Sequence, residues 1–168
     1  MPSRRQSGFT LIELMVAIAV LAILLGLALP SFQESLRSNR VIAASNELLA
    51  SFALARTEAI RGLGPAGVCA SADGATCNAT TDWASGWIVW REDRGAGGVA
   101  VRSVVRYIQP KQRMAISGPN AGVQFTTQGR SQNGAQQVGV APSDSTSVAR
   151  CVSVGATGQG RVEKRTCA

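Results

Sequence analysis

The sequence predicts an α+β fold: a long N-terminal helix, one half apolar enough for a membrane and the other amphipathic, packed on a C-terminal antiparallel β-sheet or a small two-sheet β-sandwich. Three observations carry this expectation. Residues 9–29 form an almost unbroken apolar run; one apolar stripe at helical spacing follows over 31–61; beyond Gly64 the chain breaks into short β-rich runs separated by Gly, Pro, Asn and Asp.

As a helix, 9–29 extends about 31 Å at ~1.5 Å per residue, enough to cross a bilayer core of roughly 30 Å. Its Leu, Ile, Val and Phe side chains, at roughly −0.3 to −0.6 kcal/mol each, supply about −5 kcal/mol of insertion tendency, against a cost of roughly +3 kcal/mol for the carboxylate of Glu13. Insertion wins. Arg4 and Arg5 precede the run, which favours a cytoplasmic N-terminus with the remainder on the far side. A secretory signal peptide has an apolar core of roughly 7 to 15 residues and then a small-residue cleavage site. This run is longer, and Leu27-Ala28-Leu29-Pro30 makes a poor site of that kind. A plain membrane anchor satisfies the hydropathy but leaves Glu13 unexplained.

Over 31–61, Val41, Ala44, Leu48, Phe52, Ala55 and Ala59 recur at steps of three or four and define one apolar face, with Arg40, Glu47, Ser51 and Glu58 largely off it. Pro30 removes a backbone donor and is expected to kink the helix there. Ser31 and Glu34 form an S-x-x-E capping pattern, so the second half has the signal to restart as a helix of its own. Gly62-Leu63-Gly64-Pro65 ends it.

Strands are expected over 86–91, 101–108, 114–117, 123–127, 137–140 and 148–154, with a hairpin turn near Asp93 to Gly98. Alternation puts Trp87 and Val89 on one side of their strand and Ile88 and Trp90 on the other. With Trp83, these tryptophans are expected to serve core packing or subunit contact rather than base stacking. The four cysteines, Cys69, Cys77, Cys151 and Cys167, match no CxxC metal or redox spacing. Outside the cytoplasm an even count favours disulfides. Neighbours along the chain close the shortest loops, which pairs Cys69 with Cys77 and Cys151 with Cys167, the second loop stabilising by roughly 3 kcal/mol on a chain-entropy model; sequence alone allows two other connectivities. The chain has no His, which removes His-metal sites and His-dependent triads together, and no spacing flags a catalytic site or a cofactor.

At Ser7-Gly8-Phe9-Thr10-Leu11-Ile12-Glu13-Leu14-Met15-Val16 the chain resembles the type IV pilin superfamily, which includes pilins, minor pilins and the pseudopilins of type II secretion. The resemblance implies cleavage after Gly8 by a membrane-embedded prepilin peptidase and methylation of the new amine of Phe9. It also implies that Glu13 pairs with the N-terminal amine of a neighbouring subunit, since opposite charges in low dielectric offset a desolvation cost that a lone carboxylate cannot. Further along, Ala55-Arg56-Thr57-Glu58-Ala59-Ile60-Arg61-Gly62, the segment Trp83-Ala84-Ser85-Gly86-Trp87-Ile88-Val89-Trp90-Arg91-Glu92-Asp93, Phe125-Thr126-Thr127-Gln128-Gly129-Arg130 and Thr157-Gly158-Gln159-Gly160-Arg161-Val162 are similar to the GspH/FimT group. The implied organisation is a cleaved leader at 1–8, a transmembrane or filament-core helix at 9–29, its amphipathic continuation at 30–62 and a periplasmic β-rich domain at 63–168. The implied partners are prepilin peptidase, other pilins or pseudopilins, and the bacterial inner membrane.

Charge adds a second expectation. The chain has 17 Lys+Arg against 10 Asp+Glu, and Arg150, Arg161, Lys164 and Arg165 gather near its end against one acid, Glu163. Some members of the group bind DNA through a Gly-Arg-x-Arg run before the last Cys. Here the run reads Gly160-Arg161-Val162-Glu163, an acid standing where the second arginine falls, with Lys164-Arg165 after it. Arg161, Lys164 and Arg165 are the candidate DNA contacts, and clustered cations give weak, salt-sensitive, sequence-independent binding. Strand alternation would set Arg161, Glu163 and Arg165 on one side. Gly155 to Val162 has P-loop glycine spacing but lacks the Lys and Ser/Thr that bind phosphate.

Overall fold

The computed structural model describes residues 9–62, 64–95 and 98–167. One helix, α1 (Leu11–Arg61), contains both expected halves, so the chain does not restart at Ser31. Contacts divide the chain into two compact units between Arg37 and Ser38. In the first, every side chain described from Phe9 to Leu36 is exposed, and the helix is long and apolar enough to cross a membrane.

The second unit is built on the amphipathic half of α1 and eight strands: β1 (Ala66–Ala70), β2 (Trp87–Arg94), β3 (Ala100–Ile108), β4 (Met114–Ser117), β5 (Val123–Phe125), β6 (Gln136–Pro142), β7 (Arg150–Val154) and β8 (Gly160–Glu163). They form two antiparallel sheets, ordered β3-β2-β1-β5 and β4-β6-β7-β8. This is the two-sheet form of the expected fold. The helix ends where its glycines begin: the Gly62 amide donates to the Glu58 carbonyl at 2.8 Å, while Leu63 lies outside the described residues.

The stripe predicted on α1 is the helix's buried face. Val41, Ala44, Leu48, Phe52, Ala55 and Ala59 join Val68, Trp87, Val89, Val123 and Phe125 of the first sheet and Ile116, Val138, Val140, Val152 and Val154 of the second in one apolar cluster. Burying each Leu-, Phe- or Val-sized side chain contributes about 1.5–3 kcal/mol. Phe52 meets Trp83 edge-on, with centroids 6.5 Å apart. The Trp83 ring lies where any side chain at Gly118 would project, 2.7 Å from an added Cβ.

Ser51 departs from the expectation that it lies off the stripe. It is fully buried, because its hydroxyl accepts the indole N–H of Trp87 at 3.0 Å and donates to the Glu47 carbonyl at 2.8 Å. A hydroxyl satisfied at both ends buries at little cost. Nearby, the Lys111 ammonium reaches Glu47 at 2.6 Å and sits 5.7 Å from the Trp87 ring centre.

Strand β1 was not expected. It is buried along its whole length between β2 and β5, so Ala-Gly-Val-Cys-Ala shows neither alternation nor β-branched enrichment. Strand β8 falls in the segment whose alternation was expected to align Arg161, Glu163 and Arg165, but it ends at Glu163. The β2–β3 ladder extends to Arg94 opposite Ala100, further than expected, and the turn closes with the Gly95 amide donating to the Val99 carbonyl at 2.8 Å; Ala96 and Gly97 lie outside the described residues.

The two faces of β2 divide as alternation requires. Trp87 and Val89 enter the main core, whereas Ile88 and Trp90 form a second cluster with Cys69 and Cys77. Cys69 is bonded to Cys77 and Cys151 to Cys167. In the first disulfide loop the Asp73 carboxylate accepts from the Thr76 hydroxyl and amide, the Ala75 amide and the Ser71 hydroxyl, at 2.6 to 2.9 Å. These donors, those of Thr76 foremost, hold its carboxyl well below the usual carboxylate range. Across the same face the Arg102 guanidinium lies 3.9 Å from the Trp90 ring centre.

Replacing Ser51 by Ala strands the buried Trp87 N–H. It is expected to cost about 1–3 kcal/mol in urea unfolding, whereas Thr57→Ala, whose exposed hydroxyl makes the same i−4 bond, changes stability by no more than about 0.5 kcal/mol.

Candidate functional site

The N-terminal motif residues fall at the start of α1. Gly8 lies outside the described residues, and Phe9 is 79% exposed. Thr10 is the N-cap: its hydroxyl accepts the Glu13 amide at 3.3 Å and its carbonyl accepts the Leu14 amide at 3.2 Å. Glu13 therefore occupies the third helical position, where the positive end of the helix dipole favours a carboxylate by about 0.3–1 kcal/mol. Thr10-x-x-Glu13 is itself a capping pattern. The sequence reading applied that pattern to Ser31 and Glu34 and overlooked it here.

Three of the four GspH/FimT-like motifs of the second unit, all but Trp83–Asp93, meet at one place. Arg56 of α1 donates from Nε to the Gly129 carbonyl at 2.9 Å and from its terminal nitrogen to the Thr157 carbonyl at 3.4 Å. Gly129 and Gly158 both adopt positive φ, 71° and 78°. A Cβ on Gly158 would land on the Gly129 carbonyl oxygen, and one on Gly129 would meet Ile60 at 2.7 Å. The two loops thus press backbone to backbone under the Arg56 guanidinium. This clamp has no signature in hydropathy; the signal available was the pairing of an arginine on the helix with two glycine-bearing loops.

The basic residues near the end of the chain are arranged differently from expectation. Strand β8 stops at Glu163, so Arg165 is not placed by alternation and reaches Glu163 from the bend that follows. Arg161 Nε donates to the Ser153 hydroxyl at 3.1 Å and pairs with Glu163 at 3.3 Å, while Arg165 Nε pairs with the other Glu163 oxygen at 2.6 Å. The Arg165 hydrogen bond, with the charge of both arginines, holds the Glu163 carboxyl below its ordinary value. The Arg161 side chain remains 70% exposed, beside a groove of about 300 Å³ lined by Gln136, Gln137, Thr157 and Gln159. Lys164 is exposed. Trp83, Trp87 and Trp90 are all buried, so none offers a free face for stacking.

A capped apolar helix followed by two antiparallel sheets on its amphipathic half is the architecture of a type IV pilin-like structural subunit. Residues 3–29 match the prokaryotic N-terminal methylation motif. Residues 44–158 match the family described as type II transport protein GspH, and the chain belongs to that family. It is similar to the type IV major alpha-pilin of Moraxella bovis, 47% identical over 45 residues, which span 27% of this chain and 28% of that one. In fold it is similar to the type IV minor pilin FimU of Pseudomonas aeruginosa in two crystal forms, at TM-scores of 0.53 and 0.56 and 20% identity, covering 72% and 74% of this chain and 90% and 89% of FimU.

Gly158→Ala is expected to destabilise the second unit by at least about 2 kcal/mol, because it combines positive φ with a backbone collision. Gly134→Ala, at a φ of 72° with open space around it, is expected to cost about 1 kcal/mol. Comparing the two unfolding midpoints measures the clamp itself.

Proposed function

We propose that this chain is a minor pilin or pseudopilin that is cut after Gly8 by prepilin peptidase, methylated at Phe9, and drawn from the inner membrane into a type IV pilus or a type II secretion pseudopilus, which it helps to initiate or cap. The observation that carries the reading is a carboxylate, Glu13, retained inside a membrane-length apolar helix, within the residues 3–29 that match the N-terminal methylation motif. Arg4 and Arg5 set the N-terminus in the cytoplasm and residues 63–168 in the periplasm, the compartment that suits two disulfides. Residues 9–29 then serve as anchor and filament core, with 30–62 continuing the helix. The Thr10 cap and the helix dipole stabilise Glu13 only in part; the amine of a neighbouring subunit supplies the rest. No catalytic step belongs to this role. Mass spectrometry of the N-terminal peptide of membrane-extracted protein is expected to find methyl-Phe9, and Glu13→Ala to leave processing intact while abolishing incorporation into filaments. An unprocessed N-terminus would overturn the reading.

A second reading, capture of DNA by the exposed end, is favoured by Arg161, Lys164 and Arg165 beside a polar groove. Glu163 competes with phosphate for both arginines. In gel shifts at low salt, Glu163→Gln is therefore expected to tighten DNA binding several-fold, and Arg161→Ala, Lys164→Ala or Arg165→Ala to weaken it and flatten its salt dependence. Absence of any shift by the wild-type chain and by Glu163→Gln would remove this reading.

A further inference from the structure

The longest strand of the second unit is also the least covered. Along β3 every residue is exposed except the half-buried Ser103 and the buried Ile108. It lies at the edge of its sheet, with β2 as its one strand neighbour among the described residues. From Ala100 to Val104 it pairs with β2 in unbroken register; Val105 is then the extra residue of a bulge, and Arg106 resumes opposite Val89. Strand β1 stops pairing with β2 at Arg91. The Glu92 amide still donates to the Pro65 carbonyl at 2.9 Å; beyond it Asp93–Arg94 and Ala100–Val101 continue as two strands.

A two-stranded ribbon is marginal in water. Here it is tied down on one side: Arg91 pairs with Glu58 of α1 at 3.2 Å and with Asp93 at 3.1 Å, and the Ser103 hydroxyl donates to Asp93 at 2.8 Å. The free edge stays open and its valines are exposed on both faces, Val101 on that of Ser103 and Val104 on that of Arg102; Val99, Val101, Val104 and Val105 are between 37% and 66% exposed. Edge strands are ordinarily guarded by Pro, charged side chains, short length or a bulge, and the charges here are Arg102 and Arg106. Residues 99–108 contain no Pro, Lys or acid, and the bulge lies past the unbroken stretch.

Charge selects the occupant. Two copies of β3 laid antiparallel about Val104 would set Arg102 of each opposite Arg106 of the other, and about Arg102 would set the two Arg102 side chains face to face. Like charges directly opposite are destabilising, so those two registers are disfavoured. Registers about Val101 or Ser103 oppose no arginines. What favours an acidic partner is the pair of positive charges, Arg102 and Arg106, on an edge strand with no acid of its own. Arg102 is also fixed on its face, stacked on Trp90 and donating to the Cys77 sulfur at 3.7 Å.

From this geometry we propose that the free edge of β3 is a strand-pairing site for an extended acidic segment of a different chain, with carboxylates opposite Arg102 and Arg106. Backbone hydrogen bonds would supply the affinity and alternate side chains the selectivity.

The test uses the full chain in detergent and fluorescence anisotropy of three labelled octapeptides: alternating Val and Glu, alternating Val and Lys, and an acidic peptide of equal charge interrupted by Pro. The proposal expects the Val-Glu peptide to bind saturably and at least tenfold tighter than the other two, and Arg106→Glu to shift the preference toward the Val-Lys peptide. Equal binding of the Pro-interrupted peptide would reduce the effect to charge attraction and overturn it, as would a preference unmoved by Arg106→Glu. Disulfide capture of two Val101→Cys chains at that position would assign the edge to a self-contact and overturn it as well.

Discussion

The second unit depends on one constraint: α1 must present a face narrow enough for a sheet to come close to it. Ala44, Ser45, Ser51, Ala55 and Ala59 are all buried on that face, and their small side chains leave room for Trp87 and Trp83, which fill what would otherwise be voids. The two serines are the less obvious part of this economy. Each returns a hydrogen bond to a carbonyl four residues back, Ser45 to Val41 at 2.7 Å and Ser51 to Glu47 at 2.8 Å. Polar atoms can then sit in the core without being stranded. Through Ser51 the helix also holds the indole of Trp87, fixing β2 and with it the rest of the first sheet.

The same spacing that makes α1 a packing platform also made it readable. Six apolar residues at steps of three and four name a buried face without help from tertiary structure, and β-rich runs bounded by Gly, Pro, Asn and Asp announced β2 to β7. Loop length favoured the neighbour pairing of cysteines, with two other connectivities left open. Where reading failed, the cause was physical. Strand β1 is central, so both its faces are apolar and its composition is that of a tight contact rather than a pleated surface. Ser51 was set aside as polar because its burial depends on a partner 36 residues away. The Arg56 clamp joins residues separated by 73 and 101 positions, and no local pattern encodes such a meeting.

The candidate sites divide along the same line. The region around Phe9 and Glu13 is legible because its chemistry is local, an apolar run with a single charge near its start, although the Thr10 cap in the same turn was passed over. The basic end of the chain is not, because its effective charge depends on pairing. Counting Arg161, Lys164 and Arg165 suggests a strongly attractive patch, but the structure shows Glu163 shared between the two arginines, one oxygen for each. What a partner meets there is a partly neutralised fork, two arginines sharing one carboxylate, flanked by a lysine.

The glycine-on-glycine meeting at Gly129 and Gly158 has a consequence for how this molecule can change. A contact between side chains is graded; a methylene can be removed or added and the fit adjusted in steps. A contact between two backbones has no such intermediates, since the smallest side chain already abolishes it. Position 158 is therefore all-or-none, position 129 is held by its positive φ while the Ile60 and Arg56 side chains beside it can shift, and exposed Thr127, Gln128, Ala156 and Gln159 next to them are open to substitution. Variation in these loops is confined to what they display, with the seam beneath held constant.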